Sequence, residues 1–382
     1  MSGIYIHIPF CKQACHYCDF HFSTSLKYKG DFIKALLKEI ELQAEYLKED
    51  SSSLRETGVE TIYFGGGTPS ILGQEDIFRI FDHLARYYNI LPGAEITLEA
   101  NPDDLNSNKL KLLKQTPVNR LSIGIQSFHE EDLKWMNRAH NAVEGLNAIH
   151  RSRDTGFENL TIDLIYGFPG LSDKKWEENL KTAIGLAVPH ISSYCMTVEP
   201  RTALADFIQK GKAIPMDEEQ AARHFEMLTY HLKSNGYKHY EISNFCKKEH
   251  YSRHNSNYWK GKKYLGFGPS AHSFNGSSRQ WNVANNQNYI TSLNRGHLSF
   301  EKESLSITQK YNEYVLTTLR TMWGTSLDVI NEVFGKDFVY HITKEAQTHI
   351  EKEWLIFENN TFYLSEQGKL MSDKIASDLF FD

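Results

Sequence analysis

Apolar positions recur along this chain with two alternating periods. Short runs rich in β-branched and aromatic residues at 4–8, 60–64, 95–99, 120–125, 161–166 and 191–198 predict strands. Between them apolar residues fall three or four apart, as in Phe32, Leu36, Ile40, Ala44 and Leu47 behind Asp31 as N-cap. Further helical stretches cover about 74–88, 105–115, 141–155, 173–187 and 217–235. Six strand-then-helix units predict an α/β fold over residues 1–236, with a parallel sheet forming a partial (β/α)6 barrel. In such barrels the site is built at the C-terminal ends of the strands. There this sequence places Gly65-Gly66-Gly67-Thr68-Pro69, Glu99-Ala100-Asn101-Pro102, Gln126-Ser127 and Gly167-Phe168-Pro169-Gly170.

Residues 237–300 break the rhythm. They are rich in Gly, Asn, Ser, Tyr and His with no clean period, which predicts an irregular lobe of functional loops. Helical patterns return at 309–322, 326–334 and 343–353, followed by a hairpin of 355–358 and 361–364 around Asn359-Asn360 and a final helix. Three helices and a hairpin predict a winged-helix-like module over 301–382.

Composition narrows the function. The chain has 382 residues, with 42 Lys and Arg against 48 Asp and Glu, so no global basic field points to nucleic acid. Residues 301–382 carry 8 basic and 14 acidic side chains, which opposes DNA binding where a winged helix would otherwise suggest it. No run approaches a membrane span, and the first residues carry no signal peptide, so a cytoplasmic protein is expected. Of five cysteines, three crowd into eight residues, too few and too uneven for a disulfide framework.

Those three, Cys11, Cys15 and Cys18, form C-x3-C-x2-C directly after the first strand. Three thiolates from one loop suit a four-iron cluster that keeps one iron open. The competing assignment is a closed zinc site with His16 or His21 as fourth ligand. Cys195 reads as a buried core thiol. The Gly65–Gly67 run allows close backbone approach to a ligand, or simply a tight strand-to-helix turn. Glu99 at a strand end suits acceptance of hydrogen bonds from ribose hydroxyls, or a structural ion pair. His254-Asn255-Ser256-Asn257-Tyr258-Trp259 sets an imidazole beside two aromatic rings within the irregular lobe. His250, His272 and Cys246 lie near in sequence as competing ligands.

Tyr5-Ile6-His7-Ile8-Pro9-Phe10-Cys11 with Cys15 and Cys18 resembles the radical S-adenosylmethionine (SAM) proteins. The resemblance is to the branch of oxygen-independent coproporphyrinogen III oxidases and their HemW-type heme-chaperone relatives. It runs nearly end to end, through Tyr63-Phe64-Gly65-Gly66-Gly67-Thr68-Pro69-Ser70, Gly124-Ile125-Gln126-Ser127-Phe128 and Asp163-Leu164-Ile165-Tyr166-Gly167. It implies a radical SAM partial barrel in which the open iron chelates SAM and one electron cleaves its C–S bond. It implies that Gly66, Gly67 and Thr68 meet the methionine end of SAM and that Tyr5 and Tyr17 lie beside the cofactor. It implies that Glu99, Gln126, Arg138 and Asp163 line the nucleoside region, where the oxidases hold a second SAM. The oxidases continue the cysteine motif with a fourth cysteine, whereas this chain has Phe20, as the chaperones do. The segment from His254 to Trp259 fits the chaperones' H-N-x-x-Y-W motif, which implies heme as ligand, with the His254 imidazole suited to its iron and Tyr258 and Trp259 to stacking on the porphyrin. Expected partners are heme-accepting proteins and an electron donor for the cluster, with a homodimer compatible. The alternative is coproporphyrinogen decarboxylation; a zinc-stabilised binding module is a third reading.

Overall fold

A computed structural model describes residues 1–47 and 58–381. The first half alternates β1 Ser2–Ile8, α1 Lys29–Leu42, β2 Val59–Gly66, α2 Gln74–Tyr87, β3 Ile90–Ala100, α3 Ser107–Lys114 and β4 Arg120–Gln126. It continues with α4 Glu130–Trp135, α5 Ala142–Asp154, β5 Leu160–Tyr166, α6 Asp173–Gly185, β6 His190–Cys195, α7 Ala203–Gln209 and α8 Glu218–Ser234. Strands β1 to β6 are parallel and pair in chain order. Both faces of these strands are buried, which is why their sequences read as near-continuous apolar runs. The residues alternating with Ile4, Ile6, Ile62, Leu98, Leu121, Ile162 and Ile191, all at most 5% exposed, point to the opposite face, where the polar side chains collect.

Asp31 is not the cap of α1. The helix starts two residues earlier at Lys29 behind Tyr28, and Asp31 sits in its first turn, where a carboxylate still opposes the positive end of the helix dipole. The sixth strand also stops at Cys195 rather than continuing to Val198.

Residues 237–300 are more regular than their composition predicts. They form β7 Lys238–Glu241, β8 Asn244–Cys246, α9 Arg253–Trp259, β9 Tyr264–Phe267, β10 His272–Phe274, β11 Ser278–Asn282 and α10 Asn286–Asn294, followed by β12 Phe300–Ser304. These strands extend the sheet on both sides, giving the order β12-β11-β10-β9-β1-β2-β3-β4-β5-β6-β8-β7. The sheet therefore stays open, and no closed barrel forms among the described residues. Glu39 of α1 pins one extension: it is 1% exposed and accepts hydrogen bonds from the Gly268 N–H (2.8 Å), Asn282 Nδ2 (2.6 Å) and the Tyr289 hydroxyl (2.5 Å).

The remaining residues build α11 Ile307–Leu319, β13 Thr325–Ser326, α12 Leu327–Val333, α13 Lys336–Glu351, β14 Leu355–Glu358, β15 Thr361–Leu364, α14 Glu366–Leu370 and α15 Ser372–Asp378. They close around their own apolar cluster, including Tyr311, Val315, Ile330, Ile342 and Phe362. Asn359 and Asn360 take positive φ (50° and 55°), the two-residue hairpin geometry that their residue types favour. The helix expected at 343–353 begins at Lys336. No helix among the described residues is long and apolar enough to cross a membrane.

Candidate functional site

The C-terminal ends of β1 to β6 surround a cavity of about 450 Å3. Cys11, Cys15 and Cys18 form part of its wall together with Tyr17, Gly66, Gly67, Thr68, Glu99, Gln126, Arg138 and Asp163. Twelve side chains that sequence alone marked as metal or SAM contacts are Tyr5 and these eleven, so one cavity gathers all but one of them. Tyr5 lies just beneath, its hydroxyl 3.3 Å from His7 Nδ1 and its ring stacked on Tyr63 at 6.2 Å.

The glycine run explains how the cysteine loop is held. Gly67 N–H donates to the Ile8 carbonyl (2.9 Å) and Thr68 N–H to the Phe10 carbonyl (2.7 Å), tying the end of β2 to the residues before Cys11. A Cβ at Gly67 would lie 2.6 Å from the Phe10 oxygen, so only glycine permits this approach. The run's closest approaches are thus to β1 and to Phe10 just before Cys11, and Gly66 and Gly67 also line the cavity. Thr68 also donates to Cys11 Sγ (3.4 Å), and Arg138 donates from one guanidinium nitrogen to Cys15 Sγ (3.4 Å). Burial pushes the Cys11 thiol up and the Cys18 thiol up to about 12, so without a metal both stay protonated at neutral pH.

The donor set fits a multinuclear cluster better than one zinc ion. His16 bonds the Trp135 carbonyl (2.9 Å), and His21 bonds Asn286 Oδ1 (2.7 Å), so neither completes a zinc site. Three sulfurs on one cavity wall beside an open volume are what a cluster with one unligated iron requires.

Opposite the cysteines, Tyr63 donates to Glu99 Oε1 (2.8 Å), and burial raises the Glu99 carboxyl to about 8 against that bond. Asp163 accepts from Ser122 Oγ (3.3 Å to each oxygen), and burial raises it to about 6. The β4 strand shifts register between Ile123 and Gln126, and Gln126 takes φ 66°. Gln126 lines the cavity, where its buried Oε1 has no partner. Arg138 is held by Asn101 Oδ1 (2.8 Å) and the Gly124 carbonyl (3.0 Å).

A Radical SAM superfamily model matches residues 5–183. The heme chaperone HemW of Bacillus subtilis is 33% identical over 98% of this chain and 98% of its own. The chain belongs to the HemW family of radical SAM proteins. HemW of Mycobacterium tuberculosis is 30% identical over 99% of the chain and 94% of its own, and HemW of Escherichia coli is 36% identical over 71% and 69%. The solved structure of the E. coli coproporphyrinogen III oxidase HemN superposes with a TM-score of 0.84 over 99% of this chain and 90% of that one. At 21% identity it shows the shared fold. Radical SAM membership carries a four-iron cluster and SAM, and the cysteine-lined cavity is where this HemW-family chain has the residues for both.

His254, Tyr258 and Trp259 lie apart from the cysteines, on α9. The α9 N-terminus is seated on Glu95, whose carboxylate accepts from Arg253 N–H (3.1 Å) and His254 N–H (3.0 Å). The His254 imidazole is 2% exposed, with Nδ1 bonded to Thr61 Oγ1 and Nε2 to the Tyr258 hydroxyl, both at 2.8 Å. It stacks on Tyr63 at 5.0 Å. Burial, helped by the Arg120 charge, lowers its pKa to about 3, so the ring is neutral. Trp259 packs under the Arg320 guanidinium (5.7 Å), its buried indole N–H without a partner. Among the competing ligands Cys246 is fully buried.

Three cavity residues contradict or escape the sequence reading. Cys195 is exposed and lines the cavity rather than the core, because β6 ends there and releases the side chain. Arg120 and Asn255 also line it. Arg120 was detectable: it shares the alternate positions of β4 with Ser122, Gly124 and Gln126, the parity facing the cavity.

Proposed function

We propose that this chain is a heme chaperone that binds a four-iron cluster through Cys11, Cys15 and Cys18, holds SAM beside it, and delivers heme to acceptor proteins. The observation that carries this reading is the full-length match to HemW relatives combined with three convergent thiols and phenylalanine, Phe20, at the next cavity position. Cys11, Cys15 and Cys18 would hold the cluster, which when bound would supply the electron for reductive chemistry on SAM. Arg138 and Thr68 hold two of the thiols, Gly66 to Thr68 carry the methionine end, and Glu99 receives the ribose hydroxyls. Heme contact at His254, Tyr258 and Trp259 requires α9 to release Thr61 and Glu95 first.

Anaerobically reconstituted protein is expected to bind hemin stoichiometrically and to form no protoporphyrinogen IX from coproporphyrinogen III with SAM and reductant. Absence of hemin binding sinks the chaperone reading; protoporphyrinogen formation replaces it with the oxidase.

Glu99 gives the site a pH dependence. Its folded carboxyl titrates near 8, above an unfolded glutamate, so its stabilising share is full below the ordinary glutamate value and lost as pH rises through about 8. Ionisation strengthens its bonds to ribose hydroxyls over the same interval. Affinity for 5′-methylthioadenosine, measured by equilibrium dialysis, is expected to rise several-fold between about pH 7 and pH 9. Glu99→Gln should bind more weakly and show a flat profile.

A further inference from the structure

Deep in the cavity, below the cysteine loop, lies a cation that the cluster and its thiols do not use. Arg120 is 1% exposed and lines the cavity with Ser122, Thr161, Asp163 and Asn255. Its guanidinium donates to Thr161 Oγ1, and its Nε has no partner. No carboxylate lies within ion-pair distance of it among the described residues. Asp163 on the same face feels the Arg120 charge without forming an ion pair with it, and its oxygens accept from Ser122. Thr97, opposite Arg120 in the β3–β4 register, is fully buried, and its hydroxyl is also unpartnered. An unpaired buried guanidinium is strongly unfavourable unless something anionic reaches it. Here the side chain opens onto a cavity rather than packed core.

We propose that Arg120 is a carboxylate subsite at the floor of the cavity, filled by an acid group of the ligand that enters past the cysteine loop. Two ligand classes present such a group on a flexible arm: a tetrapyrrole through a propionate, and a second SAM-type molecule, additional to the one whose aminoacyl end the open iron holds, through its carboxylate. The planar fork of arginine matches a carboxylate in two parallel hydrogen bonds, which a lysine ammonium does not reproduce. The first class rests on the heme reading above; the second does not.

The test uses anaerobically reconstituted full-length protein and four probes: hemin, hemin dimethyl ester, SAM and 5′-methylthioadenosine. Arg120→Gln is expected to weaken one acid, hemin or SAM, by about tenfold or more while leaving its carboxylate-free counterpart within about twofold. The affected pair identifies the source of the carboxylate. Arg120→Lys should fall between the two, and it supplies the comparison if the glutamine variant does not fold. Equal losses for an acid and its counterpart in both pairs, or no loss in either, overturn the subsite and leave Arg120 a structural cation. If the unmodified protein binds no hemin, the chaperone reading fails while the SAM pair still decides the subsite.

Discussion

Replacing Cys15 by alanine is expected to abolish the iron–sulfur cluster while the chain keeps its fold. Cys15 is the most informative of the three positions. Cys11 is buried and takes a hydrogen bond from Thr68, so its removal also disturbs the strand–loop junction. Cys15 is partly exposed, and its sulfur meets Arg138 at 3.4 Å. Loss of such a thiol shifts stability by no more than about 1 kcal/mol. Iron and sulfide should fall from about four each per chain to a small fraction. Visible absorption and every SAM-induced spectral change should vanish, with circular dichroism unchanged. Cys195→Ser is the matched control, because Cys195 shares the cavity without belonging to the loop; it should retain full cluster and SAM binding. Stoichiometric zinc, or iron retained on two cysteines, is incompatible with the assignment.

The parallel half of the fold was legible because both faces of β1 to β6 are buried, and burial writes apolar residues into sequence. Their spacing also placed Gly66, Glu99 and Gln126 at strand ends, where the cavity lies. Strands β7 to β12 were not legible. They are three to five residues long, and their pairing is non-local, β9 lying beside β1. Burial there is satisfied by hydrogen bonds from Asn282, Gly268 and Tyr289 to Glu39, which leave no apolar period. Cys195 was misplaced for a related reason: strand propensity does not say where a strand stops. The motif on α9 was visible as residue types, but its burial depends on Thr61, Tyr63 and Glu95, which only the folded sheet brings to it.

That burial changes what a substitution at His254 can report. His254→Ala removes two 2.8 Å hydrogen bonds and a ring stacked on Tyr63 from a site that is 2% exposed. A cavity plus unpaired Thr61 and Tyr258 hydroxyls should lower stability by about 2–4 kcal/mol. Lost heme binding in that variant alone would therefore not distinguish an iron ligand from an internal plug. Thr61→Val separates them, because it frees Nδ1 while keeping the imidazole and nearly the same volume. If His254 ligates iron after α9 opens, Thr61→Val lowers the opening barrier and hemin uptake becomes faster, by about fivefold for 1 kcal/mol. His254→Ala then abolishes the axial-ligand signature in the heme spectrum. Amides of α9 should also exchange faster with deuterium in the heme-loaded protein than in the heme-free one. If instead both variants lower the melting temperature yet load hemin with unchanged rate and spectrum, His254 is a structural plug and the iron ligand lies elsewhere. His254 is already neutral at physiological pH, so this ligand exchange needs no proton to leave the ring; the barrier is the helix, not the imidazole.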